Sequence, residues 1–224
     1  SEKMASLGQL VAGVAHEINT PVASIKSNNG ILAKLIPQIK DEEIASLMQE
    51  INQIDREAVQ RISNIVVSLK KFVRLDEAEL QEADINKELD LTLELIRHET
   101  KNRIEVVKNY GKLPLIKCYP NMLNQVFTNI LVNACQAIEG NGRITISTSY
   151  EAETLTVSIK DTGKGIPQDE ISKIFTAGYT TKGVGVGTGL GLAISAKIIE
   201  KHNGKIIVNS ALGHGSEFVI TIHG

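Results

Sequence analysis

The chain has 224 residues, of which 42% are hydrophobic and 22% charged, and its formal net charge is −2 at pH 7. This composition is typical of a globular protein and too apolar for an intrinsically disordered one. The acidic balance argues against a dedicated nucleic-acid partner, which needs a basic surface to meet phosphates. No apolar run approaches the length of a membrane span. Two cysteines without metal-ligand spacing, Cys118 and Cys135, indicate buried thiols in a reducing compartment.

Residues 1–75 predict two long helices joined by a short turn near Pro37. In the first helix the apolar positions fit a seven-residue repeat: Leu7, Val11, Val14, Ile18, Ile25, Leu32 and Leu35. The second helix continues with Ile44, Leu47, Ile51, Ile54, Ala58, Ile62, Ile65, Leu69 and Phe72. Two consecutive spacings of four residues interrupt this repeat and predict a stutter near Ala58–Ile62. One apolar stripe per helix favours a homodimer, in which two hairpins form a four-helix bundle. The alternative is that both helices pack on the second half of the chain.

An acidic connector is predicted at residues 76–83, and residues 84–224 mix helical and strand periods. Helices are predicted at 86–99 with Asp84 as N-cap, at 121–138 after Pro120, and at 189–202. Strands are predicted at 103–109, 115–119, 144–146, 155–159, 206–208 and 217–222. Because helices and strands follow no repeating βαβ order, the fold class is an α/β two-layer sandwich with a mixed sheet. With the hairpin, the chain is an α+β multidomain protein.

His16 is the first candidate functional residue. It lies about 160° around the helix from Val14 and Ile18, so it faces solvent when they face the core. Pro21 removes the backbone hydrogen bond to the carbonyl of Glu17, and such a cost is tolerated more readily at functional sites. The alternative is a surface histidine without a role.

Asn129 and Asn133 form the second candidate site, because positions i and i+4 share one helix face. Amide oxygens are hard ligands that suit Mg²⁺ retaining waters and phosphate oxygens. Both residues stand among apolar neighbours, where an uncompensated amide is costly. The alternative is a pair of solvated asparagines on an amphipathic helix.

Two glycine-rich segments complete the candidates. Asp161 follows a predicted strand, where its carboxylate can accept a hydrogen bond from an adenine amino group, and Gly163 and Gly165 let the backbone pass close to a flat ring. The run 183–192 leads into a helix whose N-terminal N–H groups favour phosphate, and Lys182 precedes it with a positive charge. Taken separately, an ordinary turn and a flexible loop explain these segments equally well.

The order and spacing of these motifs resemble the catalytic portion of a sensor histidine kinase over nearly the whole chain. Residues 16–21 resemble the H box, 129–134 the N box, 161–165 the G1 box, Phe175 the F box and 187–192 the G2 box. The resemblance implies the ATP-binding sandwich shared with the gyrase and Hsp90 ATPases. It implies nucleotide contacts from Asn129, Asn133, Asp161, Gly163, Gly165, Ile166, Phe175, Thr181, Lys182, Gly187, Thr188, Gly189, Leu190, Gly191 and Leu192.

The resemblance further implies that ATP phosphorylates His16 and that an aspartate of a response-regulator receiver domain then takes the phosphoryl group. Thr20 stands where the family orients water for phosphatase activity, and Asn133 is the Mg²⁺ ligand. Glu17, next to His16, is the candidate that orients the ring or accepts its proton, and a base from the other domain is the alternative. Gln136 departs from the basic residue often found at its position. The chain is expected to be cytoplasmic, either as part of a membrane sensor or as a separate kinase. The rival is a gyrase- or Hsp90-like ATPase that phosphorylates no protein.

Overall fold

The computed structural model describes residues 2–73, 79–180 and 189–223, with the side chains of residues 2–17, 61, 64, 65 and 67–73 outside that description. Residues 1–76 form most of one compact unit, and residues 77–179 with 189–224 form the second. The first unit contains helices α1 (Glu2–Leu35) and α2 (Glu42–Val73), joined through a short 3-10 helix at Ile36–Gln38. The predicted hairpin is therefore confirmed, with Pro21 inside α1.

The interior of the hairpin is lined by two rows of residues that recur every seven positions. The buried members are Val22 and Asn29 on α1, Ile36 at the start of the 3-10 helix, and Asn52, Val59 and Val66 on α2. The predicted apolar stripe lies elsewhere and remains exposed at Ile25, Leu35, Ile44, Leu47, Ile51, Ile54 and Ile62. A single hairpin therefore leaves most of that stripe in water, as the sequence analysis expected of a chain that needs a second packing partner.

The second unit begins earlier than predicted. Residues 81–83, which the sequence analysis assigned to the connector, form strand β1 (Gln81–Ala83), which pairs antiparallel with β3 (Ile116–Cys118). Only Ala83 of β1 is buried, so the strand offers no alternating hydrophobic pattern. The predicted helix at 86–99 is divided into α3 (Ile85–Leu95) and α4 (Arg97–Thr100). The break lies at the buried Ile96, which has φ −96° and ψ 11°.

The main sheet has the strand order β2-β4-β5-β7-β6. Its strands are β2 (Ile104–Tyr110), β4 (Gly142–Glu151), β5 (Thr154–Asp161), β6 (Gly204–Ser210) and β7 (Ser216–His223). The pair β2–β4 is parallel and the other neighbours are antiparallel, which confirms the predicted mixed sheet. Along β4, β5 and β7 buried and less buried residues alternate, because only one face of the sheet lies against the core.

Helices α5 (Pro120–Ala137) and α6 (Gly191–Lys201) pack against each other in this unit. The predicted start of α5 is confirmed, with Pro120 in its first turn. Asp84 caps α3 as predicted, because its side chain accepts hydrogen bonds from the backbone N–H groups of Asn86 and Lys87. α5 buries a continuous face formed by Met122, Leu123, Val126, Phe127, Ile130, Leu131, Ala134 and Cys135. This packing fixes the helix that carries both candidate asparagines.

Candidate nucleotide-binding site

Asp161 is the buried last residue of β5, at one end of the main sheet. Its Oδ1 accepts hydrogen bonds from the backbone N–H groups of Gly163 at 2.7 Å and Ser216 at 3.3 Å. Burial raises the pKa of the Asp161 carboxyl above its usual value, although these two N–H groups act in the opposite direction. Because both bonds go to Oδ1, Oδ2 remains the carboxylate oxygen that can accept a donor from a ligand.

The turn after Asp161 is held between two other backbone segments. On one side, the N–H of Lys164 donates to the carbonyl of Ala137 at 2.9 Å, and a Cβ on Gly163 would come within 2.6 Å of that carbonyl group. On the other side, Gly165 has φ +73°, and a Cβ there would overlap the carbonyl oxygen of Ala211. The two predicted glycines are thus required by backbone packing, while their role in giving access to a ring stays a prediction.

The turn between β6 and β7 supplies contacts that the sequence analysis did not identify. Ser210 Oγ accepts the N–H of Ile166 at 2.8 Å and donates to the carbonyl of Gly215 at 2.8 Å. Gly215 has φ +78°, and a Cβ there would overlap the carbonyl oxygen of Asp161. The glycines of residues 213–215 were the available signal, but nothing in the sequence paired them with a strand end more than 50 residues away.

The two candidate asparagines lie half-buried, one turn apart on α5. Asn129 Nδ2 donates to the carbonyl of Gly191 at 2.9 Å and to Ser195 Oγ at 3.2 Å. Ser195 is buried and donates to the same carbonyl at 2.9 Å. Asn129 therefore ties α5 to the first turn of α6, while a nucleotide contact from Asn129 and a metal contact from Asn133 stay predictions.

The glycine-rich segment is described only in part. Its residues Gly189, Leu190, Gly191 and Leu192 are half-buried, as are Ile166 and Phe175. The N–H of Gly178 donates to the carbonyl of Gly189 at 3.0 Å, and Gly189 has φ +65°. The remaining predicted contacts lie outside the described residues: Thr181, Lys182, Gly187 and Thr188.

The residues of the predicted phosphoacceptor segment lie in the other unit, on α1. The backbone at His16 and Glu17 is helical, as predicted, and their side chains lie outside the description. Thr20 is exposed, and its carbonyl accepts a hydrogen bond from Ser24 Oγ at 3.2 Å. The solvent-facing position of His16 therefore stays a prediction.

Comparison with known proteins connects both units to one class. Residues 118–224 match the family described as histidine kinase-, DNA gyrase B- and HSP90-like ATPase, and residues 6–78 match the His Kinase A (phospho-acceptor) domain. Sensor histidine kinase ZraS of Escherichia coli (strain K12) is 35% identical over 222 residues, which are 98% of this chain and 46% of ZraS.

Solved structures agree with these matches. The catalytic domain of histidine kinase ThkA is 30% identical with a TM-score of 0.59, covering 65% of this chain and 95% of that domain. Full-length ShkA in complex with AMPPNP is 28% identical with a TM-score of 0.74, covering 96% of this chain and 45% of ShkA. ThkA in complex with the response regulator protein TrrA is 26% identical with a TM-score of 0.68, covering 99% of this chain and 63% of that chain.

The chain belongs to the sensor histidine kinases, and it spans about half the length of ZraS. The predicted family and fold class are confirmed. Within the parts of the chain that the structure describes, no helix is both long and apolar enough to cross a membrane.

Proposed function

We propose that this chain is the catalytic core of an ATP-dependent protein-histidine kinase that phosphorylates its own His16 and passes the phosphoryl group to a response regulator. The observation that carries the proposal is the arrangement at Asp161. A buried carboxylate with one oxygen saturated by backbone N–H groups presents its other oxygen as an acceptor, which suits the amino group of adenine. The rival ATPase without protein phosphorylation shares this arrangement and differs in having no phosphoacceptor hairpin.

In the first chemical step, the lone pair of a ring nitrogen of His16 attacks the γ-phosphorus of ATP. The bond from that phosphorus to the β,γ-bridging oxygen breaks, ADP leaves, and Glu17 accepts the proton that the ring loses. Phosphoryl transfer needs mainly alignment and charge neutralisation, so the protein contributes by positioning more than by covalent chemistry.

The metal site of this proposal is built around Asn133. It lies half-buried on the α5 face whose preceding turn is fixed by the bonds from Asn129 to Gly191 and Ser195. The Asn133 amide oxygen is a hard ligand that would hold Mg²⁺ together with phosphate oxygens. Bound Mg²⁺ supplies neutralisation of phosphate charge. Within the described residues no group of three His, Cys, Asp or Glu side chains is placed to hold a metal ion.

The second step uses a response-regulator receiver domain as partner. Its aspartate attacks the phosphorus on His16, the phosphorus–nitrogen bond breaks, and the ring regains a proton. The related kinase ThkA has been crystallised with a response regulator, which supports this class of partner. Thr20 is exposed one turn after His16, a position suited to orienting water against the phosphorylated regulator, so a phosphatase activity is a second candidate.

The homodimer rests on the apolar stripe of the hairpin. The seven exposed residues named above for this stripe are 39–58% exposed in the single chain, and a second hairpin would bury them in a four-helix bundle. We also propose a cytoplasmic location, where ATP and a receiver domain are both available. The net charge of −2 argues against a dedicated nucleic-acid partner.

The test is incubation with γ-labelled ATP and Mg²⁺, followed by acid and alkali treatment of the protein. We expect label that is acid-labile and alkali-stable, as a phosphorus–nitrogen bond requires. His16→Gln should abolish it with ATP affinity unchanged, because His16 lies outside the nucleotide-binding unit. His98→Gln is the matched control, because His98 is an exposed histidine of the second unit. Full labelling of His16→Gln contradicts the proposal, and ATP hydrolysis without any label favours the rival ATPase.

A further inference from the structure

Arg103 stands where β2 begins, and its guanidinium reaches three backbone carbonyls. Nε donates to Glu99 at 3.0 Å, one terminal nitrogen donates to Ile138 at 2.9 Å, and the other donates to Cys135 at 2.8 Å. The Arg103 backbone is itself held, because its carbonyl accepts the N–H of Gly142 at 3.0 Å. Arg103 is half-buried, so these bonds are partly shielded from water.

Two of these carbonyls belong to the C-terminal end of α5. The last turn of an α-helix leaves carbonyls without helical partners, and α5 has no basic residue in its own last turn. Arg103 supplies both donors and a positive charge at the negative end of the helix dipole. The planar guanidinium fork can donate hydrogen bonds to two carbonyls at once, whereas a lysine ammonium is a point charge on a flexible stem.

The same end of α5 contacts the turn after Asp161. The carbonyl of Ala137 accepts the N–H of Lys164 at 2.9 Å, and Gly163 packs so closely on Ala137 that no Cβ fits between them. The end of α5 is therefore held from two sides, by the guanidinium of Arg103 and by the backbone of the Asp161 turn. Any shift of α5 along its axis must move Asn133 relative to Asp161.

We propose that Arg103 is a positioning residue that sets the spacing between the adenine acceptor Asp161 and the metal ligand Asn133. The inference rests on the proposed function, in which one nucleotide binds both residues at once. Loss of the fork lets the last turn of α5 shift, so that adenine and the metal–phosphate group no longer fit their two ligands together. The adenine end and the metal–phosphate end each still bind by themselves, but binding of one end no longer favours binding of the other as strongly.

The experiment measures that coupling by calorimetry. For each protein, the dissociation constant of ATP is determined with and without Mg²⁺, and adenosine is measured as the adenine end alone. The variants are Arg103→Lys and Arg103→Gln. Arg143→Lys is the control, because Arg143 is an exposed arginine on β4 paired with Glu105 at 2.9 Å. We expect all variants to bind adenosine with wild-type affinity. The ratio of the ATP dissociation constants without and with Mg²⁺ should fall about fivefold or more in both Arg103 variants.

The outcomes separate the two proposals. Wild-type protein that binds ATP without any effect of Mg²⁺ overturns the proposed metal site, and the role of Arg103 falls with it. If Mg²⁺ tightens ATP binding by the same factor in the wild type and in both Arg103 variants, the role of Arg103 is overturned and the proposed metal site is not. Equal losses for adenosine and for Mg²⁺-ATP, together with a lower melting temperature, reduce Arg103 to a helix cap and also refute the inference. If Arg103→Lys does not fold, Arg103→Gln, which keeps one amide donor, decides the question.

Discussion

Replacing Asp161 by asparagine changes one atom of the site in a known direction. The asparagine side chain can keep its oxygen at the Oδ1 position, where it still accepts the N–H groups of Gly163 and Ser216. The Oδ2 position then becomes an NH₂ group, which is a donor where adenine also presents a donor. The loss is that of a hydrogen bond to a charged acceptor, about 1.5–3 kcal/mol. This corresponds to roughly a 10- to 150-fold weaker affinity for ATP.

Calorimetric titration with ATP and GTP tests this expectation. GTP affinity should change little, because guanine has no amino group at the corresponding ring position. Asp84→Asn is the matched control, because Asp84 also accepts two backbone N–H groups, at the start of α3, and asparagine caps a helix as well as aspartate does. Equal losses of ATP and GTP affinity in Asp161→Asn would refute an adenine contact at Oδ2.

Two further predictions concern stability and assembly. His202 is buried and neutral, because Nδ1 donates to the carbonyl of Ile198 at 2.7 Å while Nε2 accepts the N–H of Tyr119 at 3.0 Å, and burial lowers its pKa. The unfolded chain therefore binds this proton more readily, so stability should fall below about pH 6.5 by up to about 1.4 kcal/mol per pH unit. Denaturant unfolding from pH 8 to 5 should show a shallower dependence in His202→Gln, and an unchanged slope would exclude His202 as its source. Ile54→Glu places a charge on the exposed stripe and should yield monomers in sedimentation. Gln49→Glu is the control, because Gln49 is also exposed but lies outside the stripe, and it should leave the dimer intact. Equal behaviour of the two variants would contradict the four-helix bundle.

The elements that could be predicted are those whose signal is local. Regular spacing of apolar residues predicted α1 and α2, and alternation predicted the central strands β4 and β5. Strand β1 was missed because its pairing with β3, more than 30 residues away, decides its conformation, and only one of its three residues is buried. The division of the predicted helix at Ile96 was missed because this residue continues the helical spacing of the buried Ile85 and Leu89, so the local pattern predicts an uninterrupted helix.

The same distinction applies to the site. Asp161 and its glycines could be predicted, because a carboxylate after a strand and a flexible turn are features of adjacent residues. The residues that hold them could not be predicted, because their partners are distant in sequence. Ser216 meets Asp161 across 55 residues, and Arg103 meets Cys135 across 32. The residue types serine and arginine do not predict these contacts by themselves, because each contact depends on a partner that only the folded chain brings near.

The position of Asp161 is determined mainly by backbone contacts. The end of α5, the turn after Asp161 and the turn between β6 and β7 meet directly, and Gly163, Gly165 and Gly215 leave no room for a Cβ between them. A junction of this kind has few side-chain rotamers to order when a ligand binds, so its geometry is preorganised. The candidate phosphoacceptor lies on the other unit of the chain. Changes at this junction should therefore act on nucleotide affinity, while changes around His16 should act on phosphoryl transfer, and kinetic measurements can assign each variant to one or the other.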